Sequence, residues 1–253
     1  MLFNLLPTFP STTSITHFYV LESGSINLID IIEHFTGTMK KLTVLFAMAL
    51  FLLPLQATAS VITSQPYSKN LQADILVKDI YNKAKLNGVI NYQVFKEAYE
   101  AYYNTKGRKK PVLTIIDYSL PSTKERFFVV DLQRNKLLYR TFVSHGVNSG
   151  GKNATKFSNT VNSRQTSLGT FITDTTYYGG NGYSLRLDGL TPGVNDNARR
   201  RYIVIHGADY ATRSFINRHG YLGRSWGCPA LPTELSREII DTIKGGSVIY
   251  AHA

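Results

Sequence analysis

One thiol and one imidazole carry most of the chemical content of this sequence. Residues 202–232 read YIVIHGADYATRSFINRHGYLGRSWGCPALP and contain the chain's single cysteine, Cys228, with His206 and His219. A free cysteine titrates at about 8.5 and is a weak nucleophile at neutral pH. A base within hydrogen-bond reach removes its proton, and the thiolate then attacks carbonyl carbon. The apolar run Tyr202-Ile-Val-Ile has strand length and stops at His206-Gly207, which places an imidazole at a strand end. Gly227 and Pro229 flank Cys228 and mark a turn. A lone cysteine is often a small buried hydrophobe. Glycine and proline on either side, with Arg224 and Ser225 nearby, favour a catalytic thiol instead. His206 is the first candidate for the base because of its strand-end position. His219, in a glycine-flanked loop, is the rival. His145, in Ser-His-Gly, either lines the cleft or has no catalytic role. A metal reading would gather His145, His206, Asp209, His219 and Cys228 around zinc, but no H-E-x-x-H or C-x-x-C spacing supports it.

The elements around these residues begin with a leader. Met39-Lys40-Lys41 precedes an apolar stretch too short to span a bilayer comfortably, and Ala57-Thr-Ala59 follows it. Residues 39–59 therefore read as a cleavable secretory signal rather than a buried or anchoring helix, and 1–38 as an over-called upstream start. The expected product is periplasmic or extracellular and keeps no stable membrane anchor. One cysteine excludes an internal disulfide. Lys and Arg number 28 against 17 Asp and Glu, a formal charge of +11. Such a balance suits an anionic polymer: cell wall, lipid headgroups or nucleic acid. With no basic helix or aromatic stacking motif, nucleic acid is not favoured. Arg199-Arg-Arg201 and Arg108-Lys-Lys110 read as solvated faces.

Residues 60–110 form a helical N-terminal segment. A polar exit runs from Ser60 to Lys69. Amphipathic helices are predicted over Leu71–Leu86 and Tyr92–Tyr103, with Asn87-Gly88 as a stop between them. From Pro111 the pattern turns to strands: Val112–Asp117, Phe127–Asp131, Lys136–Val143, Ser167–Ile172, Leu185–Gly189, Tyr202–His206 and Ser247–Ala251. A long Gly/Asn/Ser-rich section follows Ser144, and Tyr177–Gly182 reads as a turn. One late helix follows Pro232, with Thr233 as its N-cap and Gly245-Gly246 at its end. The predicted class is α+β: a mostly β catalytic domain over 111–253.

His206-Gly207, a loop, and Ser225-Trp-Gly-Cys228 resemble the signature of the murein L,D-transpeptidases, the YkuD-type catalytic domain. Ser167-Leu-Gly-Thr-Phe171 is similar to a strand upstream of that signature. The closest likeness is to a branch reading Gly-Arg-Ser-Trp-Gly-Cys-Pro-Ala-Leu. The resemblance implies a sandwich- or barrel-type β domain that needs no cofactor and no metal. It implies that Cys228 attacks a peptidoglycan stem peptide after the L-centre of diaminopimelate, releasing D-Ala and leaving a thioacyl-enzyme. An amine on peptidoglycan or on an anchored protein then gives transfer, whereas water gives L,D-carboxypeptidase activity. His206 would be the base, oriented by the Gly207 carbonyl, and the Gly227 and Cys228 N–H groups would form the oxyanion hole beside Ser225. Trp226 stands where the family commonly has His, and Ala230 where it tends to have Arg or Asn. Arg224 or Arg213 are candidates to replace that lost group, with His219, Trp226 and His145 as further substrate-lining candidates. A wall-binding module without catalysis is the remaining alternative.

Overall fold

The computed structural model describes residues 66–253. The predicted leader, the segment before it and residues 60–65 lie outside the described residues. Helix α1 covers Pro66–Lys83 and α2 covers Tyr92–Asn104, so helix replaces the last part of the expected polar exit. Asn91 caps α2, its side-chain oxygen accepting from the Gln93 and Val94 N–H groups.

Eight strands follow: β1 Val112–Asp117, β2 Phe127–Asp131, β3 Lys136–Thr141, β4 Gly169–Gly179, β5 Gly182–Gly189, β6 Val204–Gly207, β7 Ala230–Leu231 and β8 Val248–His252. Helix α3, Arg213–His219, lies between β6 and β7, and α4, Thr233–Ile243, between β7 and β8. The strands form one mixed sheet in the order β3-β2-β1-β8-β4-β5-β6-β7. The β1/β8 and β6/β7 pairs are parallel and the others antiparallel. The class is α+β, as read from the sequence.

Strand β1 shows why the sheet sits between two layers. All six of its residues are buried, as expected of a mainly apolar run, Val-Leu-Thr-Ile-Ile, in a strand covered on both faces. Leu113 and Ile115 pack with Phe128, Val130 and the α1/α2 residues Val77, Ile80 and Phe95. Val112 and Ile116 point the other way, into a cluster with Leu185, Ile205 and the α4 residues Ile239, Ile240 and Ile243. The helical pair is thus continuous with the sheet's core. The described residues make one compact unit.

Three local readings change. Tyr177 and Tyr178 are not in a turn; they pair with Ser184 and Tyr183 in a longer β4/β5 hairpin. Threonine and tyrosine are β-formers, and the reversal falls at Gly180-Asn181. The Cys228-bearing loop holds an unexpected helix, α3, so the late helix is not alone. Thr212 Oγ1 accepts from the Phe215 N–H, and Gly220, at φ 79°, ends α3. Thr233 does not cap α4; Pro232 occupies that position without a side-chain bond, and Thr233 Oγ1 donates to Asp209 at 2.8 Å.

Candidate active site

The turn before β7 is built by Ser225. Its hydroxyl accepts from the Gly227 N–H at 3.0 Å and donates to the Cys228 carbonyl at 2.6 Å. Its backbone is held as well: Ser225 N–H donates to the His145 carbonyl at 3.0 Å, and its own carbonyl accepts from Val147 at 2.8 Å. Gly227 has φ 121°, where side chains are strained. A Cβ there would lie 2.7 Å from the backbone oxygen of Gln165. The glycine is therefore required by the neighbouring chain, and the space it leaves is not open to substrate. Its N–H is also spoken for by Ser225, which removes it from the expected oxyanion hole. Cys228 N–H is the donor that remains from that pair.

His206 stands on β6 opposite Ala230 of β7, two residues after Cys228. The parallel register therefore brings the thiol and the imidazole to the same end of the β6/β7 ladder. His206 is 4% exposed. Its Nδ1 lies 2.9 Å from the Gly207 carbonyl, an acceptor, so Nδ1 carries the proton and Nε2 the lone pair. Gly207 is itself close-packed, since a Cβ would lie 2.5 Å from Ser236 Oγ.

Cys228 is half-buried. Its thiol donates to the Tyr202 carbonyl at 3.5 Å rather than to an imidazole. Tyr202 holds φ 55°, an uncommon backbone state for a side-chain-bearing residue, and the residue is 82% exposed. Desolvation pushes the Cys228 thiol above its ordinary range, while the Val204 N–H and the Arg201 charge pull it back in part. Desolvation pushes His206 down, opposed by its bond to Gly207. Both shifts favour the uncharged forms, so the resting pair is thiol and neutral imidazole.

The other expected residues fall in different surroundings. His145 is 1% exposed, so it does not line an open cleft. Its Nδ1 accepts from Arg126 at 2.8 Å, and its Nε2 lies 3.4 Å from the Gly150 carbonyl. Burial and the Arg126 charge lower it to about 4. His219 is exposed at the end of α3, its ring centroid 4.1 Å from that of Phe215. Arg224 is exposed and donates to the Gly150 carbonyl at 3.1 Å. Arg213 lies over the Phe142 ring at 4.4 Å. Trp226 is 70% exposed, with the Arg164 guanidinium 4.3 Å from its ring centroid. The five residues of the zinc reading thus hold separate positions. Among the described residues no three His, Cys, Asp or Glu side chains converge as metal ligands.

Two contributors escaped the sequence reading. Arg201 belongs to a run read as solvated, yet it is half-buried. It donates to Ser158, Ser163, Gln165 and Ser167, and packs behind Gly227. Its place directly before the β6 run was the available signal. Tyr202 was read only as the first strand residue; its carbonyl is the thiol's partner.

The chain belongs to the L,D-transpeptidase catalytic domain family, whose model matches residues 86–252. Similar solved structures include an L,D-transpeptidase from Mycobacterium smegmatis, at 17% identity and TM-score 0.35, covering 57% of this chain and 59% of that one. L,D-transpeptidase 1 of Mycobacterium tuberculosis is 14% identical at TM-score 0.33, covering 57% of this chain and 63% of that one. An L,D-transpeptidase from Stackebrandtia nassauensis is 12% identical at TM-score 0.35, covering 70% and 76%. The match spans less than two thirds of the two mycobacterial chains. Comparison with curated proteins returned no match.

Proposed function

We propose that this protein is an exported peptidoglycan L,D-transpeptidase with Cys228 as nucleophile and His206 as base. The observation that carries the reading is the β6/β7 register, which sets His206 opposite Ala230 and so beside the Cys228 turn. The Gly207 carbonyl holds Nδ1–H, which leaves Nε2 to take the thiol proton. The thiol's proton rests on the Tyr202 carbonyl until substrate binds. Catalytic hydrogen bonds are often long in a free enzyme and tighten in the complex.

Sγ then attacks the carbonyl carbon after the L-centre of the stem diamino acid. The Cys228 N–H faces the charge that develops on oxygen. The C–N bond breaks, His206 returns its proton to the departing D-Ala amine, and a thioester to Cys228 remains. An acceptor amine, deprotonated by His206, resolves the thioester into a new amide. Water in its place gives a free acid, the L,D-carboxypeptidase outcome. The leader at 39–59 supports delivery to the periplasm or the cell-wall side of the membrane.

The test is incubation of the purified protein, wild type and Cys228→Ala, with muropeptides, followed by mass spectrometry. Wild type should release D-Ala and the variant should not. Release that persists in the variant removes Cys228 from the reaction.

A further inference from the structure

A groove of about 400 Å³ lies along the start of β6. Ile203 and Val204 give it an apolar base, and Tyr177, Arg186, Arg200 and Tyr202 rise around it. Its wall shares residues with the nucleophile's surroundings. The Tyr202 carbonyl accepts from the Cys228 thiol at 3.5 Å, and the Val204 N–H also meets that sulfur. The groove therefore adjoins the Cys228 turn through Tyr202 and Val204, although Cys228 itself does not line it.

The charges in the groove are unevenly satisfied. Arg199, also on its wall, forks onto Asp188 at 2.7 Å and reaches Asp174 at 2.6 Å. Arg186 lies over the Tyr177 ring at 4.1 Å. Among the described residues, neither Arg186 nor Arg200 has a carboxylate within ion-pair distance. Two guanidinium groups with no directly paired carboxylate, Arg186 acting on Asp174 only at longer range, suit one chemical partner beside an apolar floor: an aliphatic chain carrying a carboxylate. Guanidinium presents paired donors that match a carboxylate's two oxygens. Stacking on Tyr177 holds the Arg186 plane, which lowers the ordering cost of that contact.

We propose that this groove binds either the diamino acid's side-chain carboxylate or the C-terminal carboxylate of the acyl-donor stem peptide, and that Arg186 and Arg200 distinguish the free acid from its amide. The assignment rests on the functional reading above, so its test avoids turnover. Cys228→Ala protein is titrated by calorimetry with three synthetic stem tetrapeptides. One has all carboxylates free. One is amidated at the side-chain carboxyl of the diamino acid, and one at the C-terminus. The free peptide should bind at least tenfold more tightly than one amidated form, and that form identifies the carboxylate engaged. In Cys228→Ala carrying Arg186→Gln and Arg200→Gln, affinity for the free peptide should fall to the amide's level, with the melting curve unchanged. Equal affinity for all three peptides, binding of none, or selectivity that survives both substitutions overturns the proposal. D-Ala release by wild type bears on the nucleophile alone. Selective binding without release would retain the groove and reject the transpeptidase reading.

Discussion

Replacing Ser225 by alanine should loosen the turn that holds Cys228. The Ser225 hydroxyl is the partner of two backbone groups at once, the Gly227 N–H at 3.0 Å and the Cys228 carbonyl at 2.6 Å. A buried polar group left without its partner costs about 1–3 kcal/mol. Gly227 is buried, so its N–H should lie well within that range, whereas the carbonyl of half-buried Cys228 can recover part of its loss from water. The sum is about 2–4 kcal/mol, a large share of the roughly 5–15 kcal/mol that holds a domain together. Urea unfolding measures it directly. For a domain of this size the melting temperature should drop by about 5–12 °C. Ser225→Thr, which keeps the hydroxyl, should recover most of the loss. D-Ala release should fall in the alanine variant even where the protein is fully folded, because the thiol is no longer held at the end of β6. A change under about 0.5 kcal/mol with unaltered release would falsify the role given to this side chain.

Other substitutions test the surroundings. Gly227→Ala places a methyl 2.7 Å from the Gln165 oxygen at φ 121° and should cost about 2–4 kcal/mol. Gly180→Ala, with nothing within 4 Å of its Cβ, should change urea stability by less than about 0.5 kcal/mol. His145, lowered to about 4 by burial and by Arg126, makes the protein acid-sensitive. The unfolded chain binds its proton near 6.5 and the folded chain does not, so stability is fully present above that pH. It falls by about 3 kcal/mol as pH drops to 4. His145→Gln should flatten urea stability across that window. Iodoacetamide labelling of Cys228 should have its midpoint above the ordinary cysteine range, as desolvation dictates. Arg201→Gln should move that midpoint further up, because it removes a cation that favours the thiolate. An unmoved labelling profile would contradict the electrostatic role of Arg201.

Much of this arrangement was legible in the residues. Mainly apolar runs, with only Thr114 and the terminal Asp117 and Asp131 polar, located β1 and β2 to the residue, as strands covered on both faces require. The Gly/Pro punctuation around Cys228 and the strand-end position of His206 pointed to two residues that the β6/β7 register sets at one end of that ladder. What was missed depends on tertiary packing. The partner of Gly227's N–H is a hydroxyl two residues earlier, a bond fixed by turn geometry and not by residue type. His145 looks like any loop histidine until the fully buried Arg126 guanidinium is found donating to its ring. Arg201 sits in a run of three arginines whose members meet three fates. One forks onto aspartates, one stays exposed, and one packs behind the Cys228 turn. Composition cannot separate them, because the difference lies in which strand end each one reaches. Apolar spacing likewise overstated the inner face of α1, where Leu71, Ile75 and Leu76 are about half exposed.

The central claim is that the sulfur of Cys228 carries the acyl group. The most direct measurement is the intact mass of the protein quenched in acid within seconds of mixing with a tetrapeptide muropeptide. The account predicts a species heavier by the donor less D-Ala. Hydroxylamine should remove the added mass, and peptide mapping should place it on Cys228. Steady D-Ala release with no adduct at that residue, or an adduct that also forms on Cys228→Ala, would contradict it.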